Sequence, residues 1–234
     1  MRPQTPFRFK QFNVAHHQCA HKVGTDGVLL GAWTNASQPK QILDVGCGSG
    51  LIALMLAQRF PNAKITGIEL DTPSAQQAQD NAQQSPFASQ IEIKQGDFLK
   101  TAFAEYIDLI VSNPPFYKGN TSSGSTPRDR ARHEEFLPAP LFIEKALSLL
   151  SPQGQIALIL PTTEAKHWIQ IAQSNGLYLL RKTSVLGSPS ATAKRWLLQM
   201  GLQKQALQEN ALTLRNTQNQ RSEAYTELTK EFYV

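Results

Sequence analysis

Leu43-Asp44-Val45-Gly46-Cys47-Gly48-Ser49-Gly50 is the stretch on which the fold of this chain turns. Ile42 to Val45 reads as a buried strand, and Leu51-Ile52-Ala53-Leu54-Met55-Leu56-Ala57 as the helix that follows it. Glycine between the two permits a tight turn and lets a ligand approach the backbone without meeting a Cβ. The interval is Gly-x-Gly-x-Gly. It is shorter than the Gly-x-Gly-x-x-Gly of dinucleotide sites, and the lysine of a phosphate-binding P-loop is missing.

Downstream, Lys64-Ile65-Thr66-Gly67-Ile68 is a second strand ending in Glu69-Leu70-Asp71, which puts an acid where an adjacent parallel strand aims it at ribose hydroxyls. A third, Ile91-Glu92-Ile93-Lys94-Gln95, runs into Gly96-Asp97-Phe98. The fourth, Ile107-Asp108-Leu109-Ile110-Val111-Ser112, stops at Asn113-Pro114-Pro115-Phe116. Proline has no amide donor and holds the preceding residue extended, so Asn113 is presented at a strand tip. The Asn113 carboxamide oxygen, the Pro114 carbonyl and the Phe116 ring offer two acceptors and a stacking face, a set that suits a planar amine. The plain alternative is a sharp exit turn.

Beyond that tip come a helix over 139–150, a strand over 154–160, a helix over 164–174 and strands over 178–185 and 195–203. This alternation predicts an α/β fold, doubly wound around a mostly parallel seven-stranded sheet. The last two strands are joined only by Leu186 to Ala193, too short for a helical crossover, and are expected to pair antiparallel. The simplest parse is a single domain: an N-terminal extension over 1–40, a core over 41–204 and a tail over 205–234.

The chain has 234 residues, 41% of them apolar, enough for one substantial core. No apolar run is long enough to span a bilayer, and the first residues do not resemble a signal peptide, so a cytosolic protein is expected. The two cysteines, Cys19 and Cys47, suggest neither a disulfide framework nor a zinc site. The five histidines lack metal-ligand spacing, and no bound metal is expected. A net charge of +5 favours an anionic partner.

The four strand-end motifs, in this order, resemble the class I S-adenosylmethionine-dependent methyltransferases, with their Rossmann-like fold. The resemblance implies S-adenosylmethionine as cofactor. Carried over by position, Asp44, Gly46 and Gly48 hold its methionine part, Glu69 takes the ribose, Asp97 meets the adenine amine, and Leu70 and Phe98 flank the adenine ring. Asn113 lies between cofactor and substrate. Thr25 or Asp26 caps a helix running to Trp33, and the stretch Gly24-Thr25-Asp26-Gly27 resembles the segment that closes over the methionine end in amino-group methyltransferases, which implies cofactor contacts from Lys22, Gly24, Thr25 and Asp26. From this segment to the tail Ala224–Tyr233, the chain resembles the bacterial tRNA(Val) adenine-N6 methyltransferase family, whose substrate is the adenosine 3′ of the anticodon, position 37. Asn113, Pro114 and Phe116 are then the catalytic set.

The segment from Lys118 to His133 sets Lys118, Arg128, Arg130 and Arg132 against the single acid Asp129, with glycine and serine in its middle. Leaving directly from the tip, it is the first candidate for gripping RNA, and Lys194 with Arg195 is a second basic point. The plain alternative is a solvated basic loop. Three other readings stay open at this stage. Two are enzymes that use nearly the same tip: guanine-N2 methyltransferases of ribosomal RNA, commonly with histidine where Tyr117 stands, and glutamine-N5 methyltransferases of release factors, usually with tyrosine where Phe116 stands. The third is a catalytically silent RNA-binding module.

Overall fold

The computed structural model describes residues 5–19, 22–103, 106–115 and 137–234. Its main sheet contains β3 (Gln41–Val45), β4 (Lys64–Glu69), β5 (Ile91–Gln95), β6 (Ile107–Ser112), β7 (Leu150–Pro161), β8 (Tyr178–Leu186), β9 (Arg195–Gly201) and β10 (Gln208–Thr213). The spatial order is β10-β8-β9-β7-β6-β3-β4-β5. Strands β3 to β7 run parallel to one another, and β9 runs antiparallel to both β7 and β8. The doubly wound, mostly parallel α/β expectation holds, as does the antiparallel last pair.

The sheet has one strand more than the motifs suggested, because the tail adds β10 parallel to β8 along six residue pairs from Gln208↔Arg181 to Thr213↔Leu186. The polar sequence of β10 explains why it escapes pattern reading. It is an edge strand, and only Leu212 is buried. A two-stranded hairpin, β1 (Phe7–Arg8) with β2 (Asn13–Val14), lies outside the main sheet.

One face is covered by α1 (Thr25–Trp33), α2 (Leu51–Arg59) and α3 (Thr72–Gln83), the other by α4 (Ala139–Leu149) and α5 (Thr162–Ser174). The apolar run Leu51–Ala57 is buried on every side, because α2 is wedged between the sheet and α1. The two helices cross so closely that a Cβ on Gly31 would lie 2.7 Å from the Met55 sulfur. Helix α1 starts one residue earlier than expected: Gly24 is its N-cap, makes no side-chain capping bond, and leaves Thr25 and Asp26 in the first turn.

Chain ends pack onto the first face. Phe9 stacks on Phe12 at 4.7 Å and lies 6.0 Å from Tyr233, while the Lys10 amide donates to the Phe232 carbonyl at 2.8 Å. The last helix, α6 (Glu223–Thr229), is capped by the Ser222 hydroxyl, which accepts from the Tyr225 amide. Strand order reverses between β3 and β6, which opens a crevice at the carboxyl ends of these two strands. Among the described residues, no helix is long and apolar enough to cross a membrane.

Candidate active site

Strand β3 delivers Asp44 and the glycine loop to the crevice. The loop is pinned to β4 because the Gly46 and Cys47 amides both donate to the Ile68 carbonyl, at 2.9 and 3.1 Å. Gly46, Gly48 and Gly50 all have positive φ, between 55° and 78°, a backbone that side chains disfavour. A Cβ on Gly46 or Gly48 would meet nothing within 4 Å, so the loop fronts open space. Gly67 is glycine for a different reason. A Cβ there would sit 3.0 Å from the Cys47 sulfur and 2.7 Å from Ile93 Cδ1.

Glu69, at the end of β4, is held by two backbone donors. Oε2 accepts from the Gly48 amide at 2.8 Å and Oε1 from the Asp71 amide at 3.0 Å. Asp71 caps α3 through the Ser74 amide. After β5, Asp97 accepts from the Leu99 amide at 2.9 Å and pairs with Lys100 at 3.2 Å. Leu70 is 45% exposed beside the crevice. Phe98 is buried in the core, its ring 5.4 Å from that of Phe142.

Asp44 is fully buried. Oδ2 accepts from the Ala53 amide at 3.0 Å, whereas Oδ1 has no partner among the described residues. Burial, opposed by that amide and reinforced by the nearby Glu69 charge, pushes its pKa up to about 7. A cationic group in the crevice would relieve this penalty.

Across the crevice, the Ser112 hydroxyl donates to the Val45 carbonyl at 2.8 Å and locks the tip of β6 to that of β3. Asn113 follows directly. Its Oδ1 is buried and without a partner among the described residues, an arrangement that usually costs about 1–3 kcal/mol. Pro114 is buried next to it. Phe116, Tyr117, Lys118, Arg128, Arg130 and Arg132 lie outside the described residues.

In the segment before α1, Lys22 is exposed and Gly24 caps the helix. Asp26 and Arg195 form an ion pair, Oδ2 to Nε, at 2.9 Å. Arg195 is thus tied to α1, and Lys194 is exposed beside it. Sequence reading missed Asn81, a buried residue of α3. Its Oδ1 accepts from the Ala15 amide, and its Nδ2 donates to the carbonyls of Ala15 (2.7 Å) and Ser49 (2.8 Å). Asn81 thereby sews the N-terminal extension to the glycine loop. The sequence offered little signal, because Asn81 is one of several carboxamides on α3 and Gln77 is buried among the same alanines.

Strand-end acids, a glycine loop fronting open space and a polar tip at the switch point define a class I methyltransferase, and the Methyltransferase small domain family matches residues 21–172. The crystal structure of a predicted O-methyltransferase from Agrobacterium tumefaciens shares this fold, with a TM-score of 0.68 and 21% identity over 88% of this chain and 96% of that one. Closer in sequence are two proteins named tRNA1(Val) (adenine(37)-N6)-methyltransferase. That of Porphyromonas gingivalis is 42% identical over 99% of this chain and 96% of its own, and that of Pectobacterium carotovorum subsp. carotovorum is 40% identical over 97% and 93%. The chain belongs to this adenine-N6 methyltransferase family. Its methyl donor is S-adenosylmethionine, and the open glycine cradle and unpartnered Asp44 oxygen fit a ligand that carries an ammonium group.

Proposed function

We propose that this protein methylates the exocyclic N6 of an adenosine in tRNA, the adenosine at position 37 beside the anticodon of tRNA(Val), in the cytoplasm. The observation that carries the reading is the buried Oδ1 of Asn113 at the tip of β6, which has no partner among the described residues. An exocyclic adenine amine is a weak nucleophile because its lone pair is delocalised into the ring. Asn113 Oδ1 and the Pro114 carbonyl each accept one N–H, which holds the amine in line and stabilises positive charge as it develops on nitrogen. An amide takes no proton at neutral pH, so Asn113 is an acceptor and not a base; the proton leaves to solvent. Phe116 stacks on the base, which a tRNA loop releases from its neighbours at small cost.

S-adenosylmethionine supplies an electrophilic sulfonium methyl. On this chain, Asp44, Gly46 and Gly48 hold its methionine part, with Lys22, Gly24, Thr25 and Asp26 closing over it, Glu69 its ribose, and Asp97, Leu70 and Phe98 its adenine. Lys118, Arg128, Arg130 and Arg132 grip the RNA backbone. The identity of the relatives supports the tRNA assignment and lowers the guanine, glutamine and silent-module readings.

The test supplies labelled cofactor together with total tRNA, ribosomal RNA and a release factor. N6-methyladenosine at position 37 of tRNA(Val) is expected. Label in guanosine or in glutamine, or none at all, overturns the reading.

A further inference from the structure

A groove of about 610 Å³ lies between the start of α5 and the ends of β8 and β9, lined by Thr162, Thr163, Lys166, Ser184, Ala193 and Trp196. Its position relative to the catalytic tip follows from the register. Ser112 of β6 pairs with Leu158 of β7, so Pro114, two residues on, stands level with Leu160, and Leu160 pairs with Trp196 of β9. Two inter-strand spacings put the Trp196 backbone about 10 Å from the tip, along the same carboxyl edge of the sheet. The cofactor motifs occupy the opposite side of that tip, at β3, β4 and β5.

The chemistry of the groove is that of a single-stranded nucleic acid subsite. Trp196 is partly buried against the core, and Lys182 Nζ sits 4.2 Å over its ring. Lys182 is itself held by Glu209 at 2.7 Å, so this cation braces the indole. Lys166 is exposed on the lining, Lys194 is exposed next to Ala193, and the hydroxyls of Thr162, Thr163 and Ser184 add neutral hydrogen-bonding groups. Lys182 covers one face of the indole, and the part of the ring that lines the groove, beside exposed lysines and hydroxyls, suits a base and its phosphate.

We propose that this groove receives the nucleotide adjoining the target adenosine in the anticodon loop, with its base on Trp196 and its phosphate on Lys166. The inference rests on the tRNA reading above and assigns a second contact point to it. Extrusion of the target adenosine leaves its neighbour unstacked, and Trp196 replaces the lost stacking partner. The groove thereby favours the flipped state and biases the enzyme toward loops whose flanking base stacks well.

An unmodified anticodon stem-loop tests this on the full-length protein. Trp33 and Trp168 are only 6% and 5% exposed, so RNA-dependent quenching of tryptophan fluorescence reports on Trp196. Quenching is expected in the wild type and lost in Trp196→Phe. Lys166→Glu, an exposed position with no fold to disrupt, should raise KM for the stem-loop on the order of tenfold and reduce the log–log salt slope by about 0.7. The same reversal at Lys64, on the opposite edge of the sheet, should leave both unchanged. Absence of quenching in the wild type, its persistence in Trp196→Phe, or a wild-type KM and slope in Lys166→Glu overturns the proposal; a polypeptide occupant of the groove would give the first and third of these outcomes. Failure of the wild type to methylate the stem-loop would instead strike the tRNA reading.

Discussion

The two sides of the crevice are finished to different degrees. On the side proposed for the cofactor, Glu69 and Asp97 already have backbone partners, and the glycine loop is hydrogen-bonded to β4. On the substrate side, Asn113 Oδ1 has no partner among the described residues, and the groove beyond it is open. A small, invariant ligand can be met by a framework set in advance. A macromolecular substrate that must unstack a base is met by acceptors left unsatisfied until it arrives. Asp44 is the exception on the cofactor side, and it sits where the ligand's cation is expected.

The largest effect should follow from removing the unsatisfied acceptor. Asn113→Ala is expected to lower the single-turnover rate about 10²–10³-fold, the loss associated with one preorganised hydrogen-bonding group. Binding of cofactor and tRNA should persist, and stability should not fall, because the deleted oxygen makes no bond among the described residues. A near-wild-type rate in single-turnover methylation would mean that the tip is merely an exit turn.

Asp44 tests whether the exception is real. Its folded pKa lies near 7 against an ordinary 3.8, so between these values the folded state retains a proton that the unfolded chain has released. Stability should therefore fall as pH rises through this window and level off above it. The change amounts to about 3 kcal/mol between pH 5 and 8. Asp44→Asn removes this dependence, so the difference between the two proteins in urea unfolding should shift in favour of the variant as pH rises. Parallel pH profiles would show that Asp44 ionises at its ordinary value.

Glu69 is the cofactor-side counterpart of Asn113. Glu69→Ala removes a carboxylate that accepts from Gly48 and Asp71, and is expected to weaken S-adenosylmethionine binding by roughly 1.5–3 kcal/mol. Isothermal titration giving wild-type affinity in a folded variant would take Glu69 out of the ribose site.

The same asymmetry governs what the sequence discloses. The residues proposed for the cofactor fall at strand ends marked by a short apolar run and a Gly, Asp or Glu, so the placing of Asp44, Glu69 and Asp97 at the ends of β3, β4 and β5 is legible one strand at a time. Asn113 is legible because two prolines end its strand. Trp196 and Lys166 are not, because they come from β9 and α5, and only the register across three strands brings them to the edge near Asn113. Asn81 and β10 stay hidden for related reasons. Asn81 acts through distant backbone groups, and β10 is too polar to announce itself as a strand.

The smallest expected effect concerns the seam between the two sides. Asp26 belongs to the helix that follows the segment proposed to close over the cofactor, and Arg195 opens β9 beside Trp196, so their ion pair ties one side to the other. Both side chains are about one-third exposed, which places the pair among surface salt bridges. A double-mutant cycle with Asp26→Ala and Arg195→Ala, read by denaturant unfolding, should give a coupling of about 0.2–1 kcal/mol that shrinks as salt is added. A coupling of that size makes the seam soft, so the segment over the cofactor can move without disturbing β9 and the groove. A coupling several times larger and indifferent to salt would make α1 and β9 one rigid unit. The division into a finished cofactor side and a waiting substrate side would then fail at this point, because ordering either side would order the other.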